Sequence, residues 1–502
     1  MRSRLVRTLK RSAVLLTASL ATLLAVRAYD ARRGPPLEPW HTFVPRELRA
    51  EDLDRSDWNA YLRAEEAAFA AVRAEVRAKP GGRDGAALNR YAAGSPVDPA
   101  GFSHDWNRSF VLEPDGAPRG AAVLLHGLTD SPYSMRRVAD LYRSKGYLAI
   151  AIRLPAHGTV PGALTDVGWQ DWSAATRLAV REARRRAGGS LPLHLVGYSN
   201  GGALALQYAL DALDDLALAR PARVVLISPM IGITRFARFA GLAGLPAVLP
   251  AFAKAAWIAI LPEFNPFKYN SFPVNAALQT DRLTSVLQRQ IARQARAGRL
   301  ADLPPVLTFQ SAIDFTVSTQ AVVSALYDRL PANGSELVLY DLNRSARFGA
   351  LLRPSFDGVL TRLLPVPPRS FRATILTNAA PDTSEMVERV TDAGASAERS
   401  RELGISYPDD VFSLSHIALP FAPDDPLYGT HPDPTEDFGI RLGTMAKRGE
   451  RGALIMSLDS LLRMTSNPFF AYQMERIEQA IDASVPDAAG CAAPTSQSGC
   501  LR

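Results

Sequence analysis

The sequence predicts an α/β protein built on a mostly parallel, doubly wound sheet. Three observations predict it. Short apolar runs alternate with helical patterns along the chain. One of those runs ends in a serine flanked by glycines that opens straight into a helix. Two oversized segments interrupt the alternation, and they read as a helical cap inserted in the sheet and a second insertion further on. The 502 residues are 47% hydrophobic and 21% charged, ordinary globular usage that excludes a disordered, collagen-like or multi-span membrane chain.

Residues 1–33 stand apart from the fold. The net charge is 57 − 50 = +7, and Arg2, Arg4, Arg7, Lys10, Arg11, Arg27, Arg32 and Arg33 against Asp30 already give 8 − 1 = +7. The rest of the chain is therefore neutral, which removes nucleic acid as a partner despite the basic total. An uncharged apolar run from Ser12 to Val26 follows the basic start, the layout of a secretory signal or an uncleaved anchor, with an organellar transit peptide as a third reading. A full span needs about 20 apolar residues, so membrane association through residues 9–29 requires help from Leu9, Tyr29 and snorkelling arginines. Positive charge ahead of the run keeps that end cytoplasmic. The globular part is then expected outside the inner membrane, anchored or exported to the periplasm.

Residues 34–106 read as a linker, Pro35 to Pro45, and a helix, Trp58 to Lys79. The helix carries Tyr61, Leu62, Ala68, Phe69, Val72 and Val76 on one face and ends at Pro80, Gly81 and Gly82. Residues 107–229 form the first half of the core, with strands at Ser109 to Leu112, Ala121 to Leu125, Tyr147 to Ile152, Leu191 to Val196 and Val224 to Ile227. Helices at Ser134 to Lys145, Trp172 to Arg186 and Gly201 to Leu213 supply the crossovers that parallel strands need. Arg181, Arg184, Arg185 and Arg186 read as a solvated helix face.

Residues 230–302 form the cap, whose apolar run (Met230, Ile231, Ile233, Phe236, Phe239, Leu242, Leu245, Val248, Leu249, Phe252, Trp257) is either an acyl-chain pocket or packing onto the sheet. Residues 303–342 return to the core with strands Val306 to Phe309 and Glu336 to Tyr340 and a helix over Thr319 to Leu330. The insertion, 343–410, holds a strand at Thr374 to Asn378 and a helix near Ser384 to Glu402. Residues 411–502 supply a histidine loop and a C-terminal extension, where Cys491 and Cys500 are a disulfide or two idle thiols.

The strand Leu191 to Val196 runs into Gly197-Tyr198-Ser199-Asn200-Gly201-Gly202. A serine forced onto a tight strand-to-helix turn needs glycine two residues either side, and the helix N-terminus favours developing negative charge. Ser199 is the candidate nucleophile; the alternative is a serine that merely caps the helix. The earlier strand opens into His126-Gly127-Leu128. An acyl-transfer site needs two preorganised N–H donors for its oxyanion, one after the nucleophile and one after this strand, which nominates the backbone of Asn200 and Leu128. His126 reads as a brace for the loop.

Together with Arg153-Leu154-Pro155-Ala156-His157-Gly158 after the next strand, these motifs resemble the α/β-hydrolase superfamily, in particular its carboxylesterase and monoacylglycerol-lipase-like branch, over roughly Asn107 to Ser318 plus a C-terminal histidine. That branch usually has Leu-Pro-Gly-His-Gly in the latter loop, so Ala156 departs from it, and its histidine is structural, as His157 is read here. The resemblance implies a fold of that type and an acid at the end of the strand after the cap. Asp314 takes this place, with Asp341 as rival. Chain order then puts the base last. His416 in Leu414-Ser415-His416-Ile417 resembles the family's loop, and His431 is its rival. The 416 − 314 = 102 positions between acid and base exceed the family's usual spacing.

The implied activity is hydrolysis of a small or lipid-like carboxylic ester by Ser199, Asp314 and His416 through an acyl-enzyme, with no metal or cofactor. Two alternatives remain. One is a peptidase of the proline-aminopeptidase type, whose mark would be acidic residues gripping a free amine, where only an isolated Glu263 is seen. The other is a binding protein that retains the fold without catalysis.

Overall fold

The computed structural model describes residues 34–78, 88–232, 250–345, 358–409, 411–445, 463 and 466–484, with scattered positions between 10 and 29. The apolar runs form the strands expected of them: β1 (Phe110–Leu112), β2 (Gly120–Leu125), β3 (Tyr147–Ile152), β4 (Leu193–Tyr198) and β5 (Arg223–Ile227). Every residue of β2, β3 and β4 is buried. Strands covered on both faces are characteristic of a parallel sheet between helical layers. The antiparallel β1 edges β3, and β3, β2, β4 and β5 then run parallel. Leu125 pairs with Gly197 and Tyr198 with Ile227, so three strand ends open onto one rim.

The segment Pro35 to Pro45 is no linker. A short helix, α1 (Pro39–Thr42), buries Trp40 and His41. The Trp40 ring stacks on Tyr91 at 5.3 Å, and His41 Nε2 lies 3.0 Å from Ser271 Oγ. A linker is solvated because it has nothing to bury; this stretch has a tryptophan. The chain continues through α2 (Ala50–Arg55) and α3 (Trp58–Val72). Asp57 caps α3 by accepting from Ala60 N at 2.7 Å, and the expected face, including Tyr61, Ala68, Phe69 and Val72, is buried.

Glu65 lies on that same buried face. It meets Arg153, whose guanidinium donates to Glu65 Oε2 at 3.1 Å, to both Glu47 oxygens at 2.9 and 2.8 Å, and to the His157 carbonyl at 2.9 Å. Ser109 Oγ donates to Glu65 at 2.7 Å and accepts from Arg153 N at 2.8 Å. A buried cation is tolerable only with such partners. The N-terminal helices are thereby clamped to the loop from Arg153 to Gly158.

Helices α4 (Arg136–Ser144), α5 (Trp169–Ala187) and α6 (Asn200–Asp214) make the crossovers. The basic face of α5 does more than meet solvent: Arg181 donates to the Leu53 carbonyl at 2.8 Å, tying α5 to α2. In the cap, β6 (Trp257–Ala259) pairs antiparallel with β7 (Phe272–Pro273), and α7 (Val274–Arg296) follows. Ile233, Phe236, Phe239, Leu242, Leu245, Val248 and Leu249 lie outside the described residues.

The core resumes with β8 (Val306–Ser311) and β9 (Glu336–Tyr340). The helical turns from Thr319 to Arg329 connect them. Beyond β9, the expected insertion turns out to be more sheet: β10 (Arg372–Asn378) runs parallel to β9, and β11 (Glu385–Thr391) and β12 (Glu398–Ser406) add antiparallel strands, making ten in all. A hairpin therefore replaces the helix expected near Ser384 to Glu402. Its turn is Asp392-Ala393-Gly394, where Gly394 takes a φ of 76° and Ala395 N donates to the Asp392 carbonyl at 3.1 Å. Strand pairing here overrides the helical propensity of an Ala-, Glu- and Arg-rich segment.

The last helix, α8 (Phe470–Asp482), buries Phe470, Tyr472 and Ile477. Cys491 and Cys500 lie outside the described residues, and among those residues no helix is long and apolar enough to cross a membrane.

Candidate active site

Ser199 sits between the last residue of β4 and the first of α6 with φ 54° and ψ −114°, a left-handed backbone rarely taken by a residue with a side chain. Its surroundings impose this. Ser199 N donates to the Ile227 carbonyl at 3.0 Å, while its own carbonyl accepts from Gly202 N at 3.0 Å and Met230 N at 2.9 Å. A Cβ on Gly197 would stand 2.3 Å from the Gly201 carbonyl oxygen, and one on Gly201 only 2.0 Å from that of Leu125. Neither position has room for any residue but glycine.

The loop after β8 carries Asp314, and a short turn, His416 to Ala418, carries His416. The structure brings both to Ser199. The hydroxyl Oγ lies 2.9 Å from His416 Nε2, and His416 Nδ1 lies 2.9 Å from Asp314 Oδ2. The carboxylate is held independently of the ring, since Oδ1 accepts from Thr316 N at 2.8 Å and Val317 N at 3.0 Å, and Oδ2 accepts from Gln310 Nε2 at 3.1 Å. Burial alone would raise the Asp314 carboxyl. His416 and the two amides outweigh that effect and hold it below its ordinary value. With Asp314 accepting at Nδ1, the imidazole is set to carry its proton there and present a bare Nε2 to the serine.

The rival residues lie elsewhere. Asp341 Oδ2 accepts from Thr377 Oγ1 at 2.9 Å within the sheet's extension. His431 is exposed, its Nδ1 beside Thr430 Oγ1 at 3.1 Å. The 102 positions between Asp314 and His416 are spanned by the extra strands, which return the chain to the same rim.

Asn200 opens α6, so its amide is one of the N–H groups with no partner inside the helix. Leu128 lines the same cavity as Ser199. His126 braces the loop between them: its Nδ1 donates to the Gly127 carbonyl at 2.9 Å and its Nε2 accepts from Leu154 N at 3.0 Å. His157 is buried and donates from Nδ1 to the Pro155 carbonyl at 3.0 Å. Burial holds both rings well below the ordinary histidine range, His157 at about 4. Both rings hydrogen-bond to backbone groups of the loops around them. Ala156, the departure from the family loop, has φ 70°, so it occupies a backbone position that favours the glycine found in relatives.

The cavity over Ser199 and His416 measures about 290 Å³. Leu128, Met230, Phe272, Ala277 and Ile417 make its apolar wall, and Lys268 and Arg463 contribute two cations. Of the cap's apolar run, Met230 reaches this wall while Trp257 packs edge-on against His41 at 4.9 Å. No sequence motif pointed to Lys268 or Arg463. Among the described residues no three His, Cys, Asp or Glu side chains converge as metal ligands would.

This sheet, with a serine at its elbow and an acid and a histidine on the same rim, defines an α/β-hydrolase. The fold is that of the α/β-hydrolases, and residues 116–343 match the Hydrolase_4 family, described as "Serine aminopeptidase, S33". It is 27% identical over 186 residues to the thermostable monoacylglycerol lipase of Bacillus sp. (strain H-257), a match covering 36% of this chain and 69% of the relative. Solved structures similar to it include one described under the metagenome-derived lipolytic enzymes LipS and LipT (20% identity, 51% of this chain and 97% of the other, TM-score 0.36). Another is the monoacylglycerol lipase of Paleococcus ferrophilus (16% identity, 51% and 97%, TM-score 0.35).

Proposed function

We propose that the protein hydrolyses carboxylic esters, with Ser199 as nucleophile, His416 as general base and acid, Asp314 as the group that fixes the imidazole, and the amides of Asn200 and Leu128 as oxyanion donors. The observation that carries this is the unbroken line from Ser199 Oγ to His416 to Asp314, both links at 2.9 Å. Ser199 Oγ attacks the ester carbonyl carbon and its proton passes to His416 Nε2. The carbonyl oxygen becomes an anion facing the two amides. Collapse expels the alcohol, which takes the proton from His416, and leaves an acyl-serine. Water then repeats the sequence, releasing the acid and restoring the serine.

The matching family's description favours a second reading, an aminopeptidase. Such an enzyme must hold a protonated amine, and the cavity wall offers it cations and no carboxylate among the described residues. Glu263 is fully buried and accepts from Asn270 N at 2.9 Å and Ser271 N at 2.8 Å, which commits it to a turn. The monoacylglycerol lipase relative supports the ester reading. We infer from the basic-apolar arm of residues 1–33 a location at the outer face of the inner membrane or beyond it, to be checked by fractionation of cells expressing the full chain.

The test pairs covalent labelling with turnover. A fluorophosphonate probe is expected to label the wild type and not Ser199→Ala, and the wild type to hydrolyse 4-nitrophenyl butyrate and monobutyrin but not prolyl 4-nitroanilide. Turnover of the anilide without either ester would overturn the proposal.

A further inference from the structure

The cavity wall is charged in one sense. Lys268 and Arg463 both line the pocket that holds Ser199 and His416, and among the described residues no carboxylate lines it. Asp314 does not balance them, because its side chain is fully buried and committed to His416, two backbone amides and Gln310. The acid nearest in effect to Lys268 is Asp130. Asp130 is buried at 3% exposure, does not form part of the wall, and has one carboxylate oxygen without a hydrogen-bond partner among the described residues. Burial pushes its carboxyl up to about 6, so it is ionised at neutral pH, but it stands behind the wall and leaves the cavity-facing side of Lys268 open to a ligand.

Neither cation is placed as a structural tie would be. Among the described residues, buried Arg153 meets Glu47 and Glu65 and buried Arg136 meets Asp425 and Glu436, while buried Arg90 donates to the neutral acceptors Asn107 Oδ1 and the Gly158 and Asn265 carbonyls. Lys268 has no carboxylate within ion-pair distance among the described residues, although burial lowers its ammonium below the usual lysine range. Arg463 donates to Thr316 Oγ1, two residues beyond Asp314, and its carbonyl accepts from Ser415 Oγ at 2.6 Å, next to His416. It is therefore fixed beside the reacting groups by neutral contacts, and among the described residues no carboxylate pairs with it. Two cations that line the cavity, with the one acid acting on Lys268 set behind the wall, beside the apolar side chains of Leu128, Met230, Phe272, Ala277 and Ile417, form a receptor for a negative group on a partly apolar ligand.

We propose that the substrate of this site is an ester bearing a carboxylate or phosphate close to its scissile bond, received by Lys268 and Arg463 while its apolar portion lies against Met230, Phe272 and Ile417. This rests on the ester-hydrolase reading. Lys268 and Arg463 are thereby specificity-determining residues that would discriminate against the neutral analogue, since the latter would leave both charges in the cavity without a partner.

Two matched pairs test it in the full-length protein and separate the two places the charge could sit. Monoethyl adipate against ethyl hexanoate puts the charge on the acyl side, and 1-butyrylglycerol 3-phosphate against 1-butyrylglycerol puts it on the alcohol side. In one pair the charged ester is expected to have the higher kcat/KM by at least ten-fold. That ratio should fall by at least ten-fold in Lys268→Met and recover in Lys268→Arg. If the lysine variants fail to fold, Arg463→Gln is measured for the same ratio. Preference for the neutral ester in both pairs, or a ratio that a folded charge-removing variant leaves unchanged, overturns the proposal. Should the wild type hydrolyse none of the four, the ester-hydrolase reading itself fails, an outcome distinct from hydrolysis of the neutral members alone.

Discussion

Replacing Asp314 by asparagine changes one atom, and the surrounding hydrogen bonds dictate which way the new amide must face. Thr316 N and Val317 N both donate to Oδ1, at 2.8 and 3.0 Å. The asparagine oxygen has to stay there, because turning the NH2 toward two N–H donors would leave three groups without acceptors. The NH2 is then directed at His416 Nδ1, 2.9 Å away in the wild type. A donor in that place makes Nδ1 the acceptor and puts the ring's proton on Nε2, where it cannot receive the proton of Ser199 Oγ. Gln310 Nε2, which faces this oxygen at 3.1 Å, loses that acceptor but keeps Thr319 Oγ1 at 3.1 Å, so the change costs one hydrogen bond at this side chain. The fold is therefore expected to survive while the tautomer is lost.

Loss of the correct tautomer in such a triad costs about 10,000-fold in turnover, or about 5.5 kcal/mol of barrier. The assay is kcat for 4-nitrophenyl butyrate at pH 7, with thermal unfolding in parallel to show that the variant is folded. A folded Asp314→Asn retaining more than a tenth of wild-type kcat would refute the reasoning, and a matching collapse in Asp341→Asn would transfer the role to the rival.

Two further outcomes are expected. Arg153→Met leaves Glu47 and Glu65 facing each other in a buried site without their shared cation, which should cost about 3–5 kcal/mol; a urea midpoint within a few tenths molar of wild type would contradict this. Stability should also fall as pH drops from about 6.5, because burial holds His41 and His157 at about 4 and His194 at about 3. In that window the unfolded chain binds protons that the folded one refuses, so unfolding is favoured by up to about 1.4 kcal/mol per pH unit for each ring. Asp130, pushed up to about 6, takes up a proton on folding and offsets one of them below that pH. Urea titrations at pH 7, 6 and 5 giving one constant midpoint would refute the assignment of these histidines as neutral.

The parallel strands were legible because a strand buried on both faces must be apolar throughout, as Tyr147 to Ile152 is, and few other structures require such runs. Ser199 was legible for the reason that makes Gly197 and Gly201 irreplaceable: the turn admits no side chain at either place. The positions of Asp314 and His416 followed from chain order, although sequence could not measure the detour between them. The failures have a shared cause. The strands from Glu385 to Ser406 draw on backbone pairing and on cross-strand pairs such as Arg389 with Glu398 at 2.6 Å and Arg401 with Glu388 at 2.7 Å, so their composition resembles a solvated helix. The signal that could have separated the two was the Asp-Ala-Gly turn. Trp40 and His41 looked like part of a proline-rich linker because their partners, Tyr91 and Ser271, are distant in sequence. Lys268 and Arg463 lie 268 − 199 = 69 and 463 − 199 = 264 positions from the serine, and no local pattern records that convergence.

The ninth and last neighbour in the row from β3 to β12 has a consequence for how copies of this protein meet. Residues of β12 are exposed or nearly so along its whole length, and Glu398, Arg399, Arg401 and Glu402 give it charges of both signs. An outer strand with open amides and carbonyls is a template onto which another chain can stack. Here any such addition would have to strip water from a row of charges, a cost that disfavours lateral growth of the sheet.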